Sequence, residues 1–173
     1  MNINFGPRGI VEINDARIIY RNIEGRGDQY NREGERNFAV VITGDGIAQA
    51  LTDAGYNVKT KPPKNEDEDP LVYLPVKVKF NDRGPNIYIE SGKHRRQLVP
   101  ETAGIIDQID ILSVDMDIRP FHWEVNGKTG VTAYLSNMLV RQRIDRFAAD
   151  MEASGMRPAP KNDVDADIDW YNT

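Results

Sequence analysis

The chain has 173 residues, a formal net charge of −5 at pH 7 and no cysteine. This length is typical of one globular domain, and the lack of cysteine excludes disulfides, thiolate metal sites and cysteine nucleophiles. Two histidines, His94 and His122, are too few for a histidine-rich zinc site. No apolar run approaches the roughly twenty residues of a membrane-spanning helix, and the N-terminus lacks the apolar core of a signal peptide. We therefore expect a cytoplasmic protein with no membrane partner.

Stretches rich in β-branched and aromatic residues predict a succession of strands. In chain order these are Ile10–Tyr20, Asn37–Ile42, Tyr56–Lys61, Leu71–Phe80, Ile87–Ile89, Ile111–Val125 and Val131–Val140. The first strand is expected to bulge near Asn14 and Asp15. A turn at Asn81–Pro85 predicts that the fourth and fifth strands form a hairpin, and Asn126–Gly127 is the strongest hairpin turn signal in the sequence.

Helices are predicted to be few. A short one is expected over Gly46–Ala54, between the second and third strands, and others over Glu101–Ile109 and Arg143–Ala153. Polar segments predict loops, namely Arg21–Arg36, Pro62–Pro70 and Ser91–Pro100. Because strands dominate and most connections resemble hairpins, the sequence predicts a mainly β fold. A closed or nearly closed β-barrel fits this pattern better than a doubly wound α/β sheet.

The charge is distributed unevenly along the chain. Val76–Arg96 contains six basic and two acidic residues, and Arg119–Arg146 contains five basic and two acidic residues. Asp150–Thr173 has the opposite bias, with six acidic residues and two basic ones. This pattern suits a polyanion-binding face beside an acidic docking arm, although ordinary solvated surface charge is an equally good interpretation.

Basic residues alternate with aromatic residues on several predicted strands, as sequence-tolerant binding of single-stranded nucleic acid requires. Lys77 and Lys79 share one strand face, and Tyr88 on the predicted return strand is expected to lie beside them. Trp123 and Tyr134 are interpreted either as base-stacking residues or as core residues. The candidate DNA-binding residues are Arg32, Arg36, Lys77, Lys79, Tyr88, Arg95, Arg96, Arg119, Trp123, Lys128 and Tyr134.

The search for catalytic motifs is negative. The sequence has no phosphate-binding loop, no dinucleotide-binding glycine fingerprint and no nucleophile elbow. Four aspartates have the chemistry of magnesium ligands, but such clusters more commonly lie on the solvated face of a strand and its flanks, and that interpretation is preferred. They are Asp107, Asp110, Asp115 and Asp117. We expect a non-enzymatic protein without cofactor or metal.

The C-terminal segment combines acidic residues with two aromatic residues near the end of the chain. Residues 157–173 contain too few apolar side chains to fold alone, so they are predicted to form a disordered acidic tail following a domain of residues 1–156. This tail is expected to compete with DNA for a basic groove or to dock onto partner enzymes, unless it serves only solubility. The candidate docking residues are Asp165, Asp167, Asp169, Trp170 and Tyr171.

Three runs of the sequence together resemble the single-stranded DNA-binding proteins of tailed bacteriophages over most of Ala16–Phe147. They are RNIEGRGDQYNREGERNFAVVI, VYLPVKVKFNDRGPNIYIESG and IDILSVDMDIRPFHWEVNGKTGVTAYLSNM. The resemblance implies an OB-fold with an acidic C-terminal tail, acting in the host cell cytoplasm. It also implies sequence-independent protection of single-stranded DNA during phage replication or recombination, with phage or host enzymes as partners.

One departure from that family lies in the tail, because such tails often end on a hydrophobic residue whereas Asn172 and Thr173 follow Tyr171 here. Two alternatives stay open at this point. One is a metal-dependent phage nuclease that uses the four aspartates. The other is a DNA-mimicking module that inhibits a host factor. A homo-oligomer is a further option.

Overall fold

The computed structural model describes residues 1–144, which form nine strands and one short α-helix. The elements are β1 (Asn2–Phe5), β2 (Val11–Asn22), β3 (Arg36–Val41), α1 (Ile47–Asp53), β4 (Lys59–Lys61), β5 (Leu71–Val78), β6 (Asn86–Ser91), β7 (His94–Leu98), β8 (Ile111–Val125) and β9 (Lys128–Gln142). Two 3-10 turns accompany them, Pro7–Gly9 and Ala103–Asp107. No helix in this part of the chain has the length and apolar character needed to cross a bilayer.

Five of the strands close into a barrel in the order β5-β3-β2-β8-β9. Neighbours are antiparallel around the barrel, and a parallel pairing of β5 with β9 completes the circle. In that pairing Val76 lies opposite Ala133 and Lys77 lies opposite Tyr134. The predicted mainly β fold with a closed, OB-like barrel is therefore confirmed.

The barrel interior is filled by alternate residues of each strand. Phe38 and Val40 on β3 and Leu74 and Val76 on β5 are buried in one apolar cluster. Successive side chains of a strand point to opposite faces, so the residues between them face outward. Lys77 is accordingly exposed between two buried valines of β5. The alternation of side chains along each strand thus determines which charged residues lie on the outer surface.

The strand β9 changes its neighbour along its length. Its first half pairs with β5, and its second half, from Asn137 to Arg141, pairs in parallel with β6. The predicted hairpin between the fourth and fifth strands is therefore wrong, because the second of them joins β9 instead. The predicted loop over Ser91–Pro100 is also wrong, since β7 pairs with β6 there. Its side chains His94 to Gln97 are all exposed, so no apolar alternation marks it as a strand.

Most other predicted elements form at the expected places. The bulge near Asn14 and Asp15 is confirmed by a register shift between Ile13 and Ala16, and α1 lies between the second and third predicted strands. The helix expected over Glu101–Ile109 is a short 3-10 turn, and β1 is an additional strand. The predicted Arg143–Ala153 helix beyond its first two residues, and the tail over 157–173, lie outside the described residues.

The bulge in β2 is held by a carboxylate of the neighbouring strand. Asp115 on β8 accepts a hydrogen bond of 2.9 Å from the backbone N–H of Asp15, whose φ is 54°. Arg141 on β9 donates to the same carboxylate at 2.6 Å. The hydrogen bond from Arg141, assisted by that from Asp15, holds the pKa of Asp115 below its ordinary value. One side chain therefore links three adjacent strands.

We expect Asp115→Ala to lower the free energy of unfolding by about 1–2 kcal/mol at neutral pH, because it removes two charge-assisted hydrogen bonds at a partly exposed site. A lowered folded-state pKa contributes stability above the unfolded value of 3.8, and this contribution is lost as the pH falls through the folded-state pKa. The difference in free energy of unfolding between wild type and Asp115→Ala, measured by urea unfolding, should therefore shrink below pH 3.8. Asp110→Ala, at an exposed aspartate, is the control and should change stability little at any pH; equal losses in both variants would contradict this assignment.

Candidate nucleic-acid interface

A groove of about 580 Å³ lies between the outer face of β5 and the β8–β9 hairpin. We call it the tryptophan groove. Its lining includes Lys59, Pro75, Lys77, Trp123 and Thr132. Both charged side chains in its lining are lysines, so the groove has the electrostatic character expected of a phosphate-binding surface.

Trp123 is positioned in this groove by the residue opposite it. On β9 its cross-strand partner is Gly130, and a Cβ placed on that glycine would lie only 2.7 Å from Cε2 and 3.1 Å from Nε1 of the indole. The ring therefore packs against backbone that only glycine leaves uncovered, a cross-strand arrangement that pairs an aromatic ring with a glycine. Trp123 keeps 38% of its surface exposed.

A second pocket, of about 420 Å³, lies further along β5 and β9. We call it the basic pocket because all its charged lining residues, Lys79, Arg83 and Arg119, are basic. Residues 129–133 of β9 line the tryptophan groove and residues 135–136 line the basic pocket. Tyr134 therefore stands between the two depressions on the same strand.

Tyr134 is surrounded by a cation and a second ring. The guanidinium carbon of Arg119 lies 5.0 Å from the centre of its ring, and the Phe121 ring meets it edge-on at 5.9 Å. Phe121 is 52% exposed. These aromatic residues lie outside the barrel core. The interpretation of Trp123 and Tyr134 as core residues is therefore wrong, and their role in base stacking stays a prediction.

The structure brings five of the predicted residues to this surface, and they come from β5 and the residue that follows it, from β8 and from β9. They are Lys77, Lys79, Arg119, Trp123 and Tyr134. Lys128 lies at the exposed tip of the same β8–β9 hairpin, opposite Val125. Lys59 is the register partner of Tyr73. The cations from Lys59 to Lys79 therefore follow a path of about 20 Å, taking the six residue steps from Tyr73 to Lys79 at about 3.3 Å each.

The other predicted residues lie elsewhere. Tyr88 is opposite Leu139 and Gln97, and not beside the two lysines, because β6 pairs with β9 rather than β5. Arg95 forms a 2.6 Å ion pair with Glu90. Arg96 lines a small pocket with two glutamates, and Arg32 is exposed in the loop between β2 and β3.

The guanidinium of Arg36 is engaged in contacts within the protein. Its guanidinium donates hydrogen bonds to the carbonyl oxygens of Ile23 and Pro100, at 3.0 and 2.9 Å, and lies 4.9 Å from the centre of the Phe80 ring. Burial lowers its pKa. These contacts tie the loop before β3 to the segment after β7.

Two basic residues of this region, and one exposed aromatic residue of another loop, were not predicted as site residues. Lys59 lines the tryptophan groove and Arg83 lines the basic pocket. Lys59 belongs to an alternating predicted strand and Arg83 to the most basic segment, so a rule that took every cation of those segments would have found both. Tyr30, which is 84% exposed, lies in the loop between β2 and β3, and no sequence pattern distinguishes it.

Three of the four aspartates considered as magnesium ligands form separate hydrogen bonds within the fold. Asp107 accepts hydrogen bonds from the backbone N–H groups of Ile23 and Glu24, each at 2.9 Å. Asp115 accepts a hydrogen bond from the bulge of β2. Asp117 accepts a hydrogen bond from Asn137 at 3.3 Å. Within residues 1–144 no three carboxylate or imidazole side chains cluster in a way that would hold a metal ion.

Comparison with solved structures finds similar folds in bacteriophage proteins. The single-stranded DNA-binding protein of bacteriophage Enc34, solved in complex with single-stranded DNA, is 15% identical with a TM-score of 0.56, covering 84% of this chain and 93% of that chain. A C-terminal truncation of the Enc34 protein is 15% identical with a TM-score of 0.56, covering 83% of this chain and 91% of that one. No match is found among curated proteins.

The comparison with protein families concerns nearly the whole chain. The phage ssDNA-binding domain matches residues 6–167, which include every strand of the barrel and both depressions on its outer face. This chain therefore belongs to the phage ssDNA-binding domain family.

Proposed function

We propose that this protein coats and protects single-stranded DNA, without sequence preference, along the tryptophan groove and the basic pocket. The observation that carries the proposal is the position of Trp123 in a groove whose charged lining residues are Lys59 and Lys77. An aromatic ring between cations is the arrangement that stacks a base while neighbouring phosphates are neutralised.

The cations of this surface would bind the DNA backbone. Lys59 and Lys77 in the groove lie on β4 and β5. In the basic pocket, Lys79 and Arg83 lie in the segment between β5 and β6, and Arg119 lies on β8. Each neutralised phosphate releases counterions, so affinity should fall with salt by a logarithmic slope of roughly 0.7 per contact. Phosphates carry no sequence information, which supports binding without sequence preference.

The bases would stack on Trp123 and Tyr134. Every base has a π-face, so stacking tolerates sequence and contributes about 1–3 kcal/mol per base. The fold shared with an Enc34 protein that was solved with single-stranded DNA supports this interpretation. The protein would act by binding rather than by catalysis, and cleavage of labelled DNA in the presence of Mg²⁺ or Mn²⁺ would contradict that part of the proposal.

The acidic C-terminal segment would serve partners. Asp165, Asp167 and Asp169 alternate with apolar residues before Trp170 and Tyr171, a pattern suited to docking onto phage or host replication or recombination enzymes in the host cytoplasm. Its negative charge would also compete with phosphates for the basic surface while the salt concentration is low.

Replacement of groove residues separates stacking from charge. We expect Trp123→Ala to weaken oligo-dT binding by about 5- to 150-fold while leaving the salt slope unchanged. Lys77→Ala should weaken binding and reduce the slope by roughly 0.7. Val125→Ala, on the same hairpin but outside the groove lining, is the control. Fluorescence-anisotropy titrations at several salt concentrations measure both quantities, and wild-type affinity in both groove variants would refute the assignment of the groove.

Gly130→Ala tests whether the glycine positions the indole. The added methyl group would occupy the space of the Trp123 ring, so we expect the ring to be displaced and binding to weaken nearly as much as in Trp123→Ala. Combined in one chain, the two changes should cost little more than Trp123→Ala alone, because they remove the same interaction. Thermal unfolding monitored by circular dichroism checks that each variant folds. Additive losses would show that Gly130 acts independently of the tryptophan.

Truncation after Met156 removes residues 157–173, which contain four of the six acidic residues of Asp150–Thr173. We expect the shortened chain to fold and to bind single-stranded DNA more tightly, most clearly at low salt, because a competing negative charge is gone. It should also lose any recruitment of partner enzymes. Replacing Asp163, Asp165, Asp167 and Asp169 by asparagine in the full-length chain is the matched control for charge alone. Weaker DNA binding after truncation would contradict the competition.

A further inference from the structure

Two tyrosines form a contact on the outer surface of the barrel, away from both depressions described above. The rings of Tyr20 on β2 and Tyr73 on β5 meet at 5.5 Å between centres, with an angle of 74° between their planes. Tyr20 is 52% exposed, and neither residue belongs to the apolar core. We call these two residues the tyrosine pair.

The backbone at Tyr20 adopts an unusual conformation. Its φ is 53°, in the left-handed region that non-glycine residues with a bulky side chain avoid. The register between β2 and β3 shifts at this point, between Ile19 and Asn22. A bulge of this kind redirects a side chain, and here the redirected ring meets Tyr73.

Cations flank the tyrosine pair on both sides. Lys59 on β4 is the register partner of Tyr73 on β5. On the other side of Tyr73, its register partner is Val41 of β3. Val41 in turn lies opposite Arg17 of β2. The four residues form one row across adjacent strands at about 4.8 Å per strand. Lys59 also lines the tryptophan groove, so the row begins where that groove ends.

A further groove opens on the far side of Tyr20. It has a volume of about 830 Å³, and its lining includes Arg17, Tyr20, Leu112 and Arg143, with Asp110 as its acidic residue. The tyrosine pair therefore lies between two grooves, each lined mainly by basic charged residues. The Glu66–Asp69 run is in the loop that joins β4 to β5, and its charge would turn phosphates away from that side and toward β2.

We propose that the tyrosine pair is a second base-stacking subsite for single-stranded nucleic acid, which receives the strand where it leaves the tryptophan groove past Lys59. Arg17 would bind a phosphate on the far side of the rings. This inference rests on the proposed function and extends it, because it makes the binding path longer than the two depressions alone. Tyr73 and Lys77 are four residues apart on β5, about 13 Å at 3.3 Å per residue, so only an oligonucleotide long enough to span that distance contacts both Lys77 and the rings.

The test compares binding across a ladder of oligo-dT from about 4 to 16 nucleotides. Tyr73→Ala removes one ring, and Tyr20→Asn removes the other with a residue that tolerates positive φ. Phe5→Ala is the control, because Phe5 is an exposed aromatic residue at the opposite end of β2, in register with Val11. If thermal unfolding shows that Tyr73→Ala destabilises the chain, Tyr73→Leu keeps apolar volume there and replaces it.

Wild type and Phe5→Ala should gain affinity with length until the strand spans both sites. We expect the tyrosine variants to match wild type for the shortest oligonucleotides and to weaken binding of the longest by at least about fivefold. Equal affinity at every length, or an equal loss at every length, would overturn the subsite while leaving the groove intact. Failure of the wild-type protein to bind any length would instead overturn the proposed function itself.

Discussion

The parallel pairing of β5 with β9 is the constraint on which the rest of the structure depends. Residues that are far apart in sequence, Lys77 and Tyr134, become neighbours only because Val76 lies opposite Ala133. Bringing distant segments together costs chain entropy before any contact compensates it. The apolar cluster inside the barrel supplies that compensation, and the outer face of the same two strands then carries the tryptophan groove, the proposed DNA-binding site. The inner face of the paired strands β5 and β9 thus packs the core, and their outer face carries the groove.

The change of partner along β9 has an equally direct consequence. The strand leaves β5 and meets β6 at Asn137, and the loop that bridges the gap brings Arg83 toward Arg119 and Lys79. A barrel with uniform pairing would close this gap with backbone hydrogen bonds. Here the gap is a depression lined by cations, so an interruption of the sheet creates part of the proposed nucleic-acid surface.

Local patterns predicted those parts of the fold and of the candidate site that depend on neighbouring residues. The alternation through Val76, Lys77 and Val78 predicts which residues of β5 face outward. The turn at Asn126–Gly127 predicts the β8–β9 hairpin, and its position fixes which residue of β9 lies opposite Trp123. The partner of β6 could not be predicted, because a short strand with Ile87 and Ile89 pairs as readily with an antiparallel neighbour as with a distant parallel one. That error placed Tyr88 beside the lysines. The roles of Arg36 and Arg95 depend on the carbonyl oxygens and the carboxylate that folding brings to them, and no spacing in the sequence encodes those contacts.

The position of Trp123 on the hairpin also bears on how the groove moves. Tyr56 forms a bridge to Val131, and Trp123 with Gly130 is the next cross-strand pair beyond it. From there to the turn, the ribbon consists of two strands in the part of the chain that the structure describes, and an isolated two-stranded ribbon is only marginally stable in water. The groove therefore has a stiff wall, the barrel strand β5, and a compliant wall that carries the indole. Amide protons of the ribbon should exchange with solvent sooner than those of the barrel. In the proposed function, a compliant wall would let the indole stack on purines and pyrimidines alike.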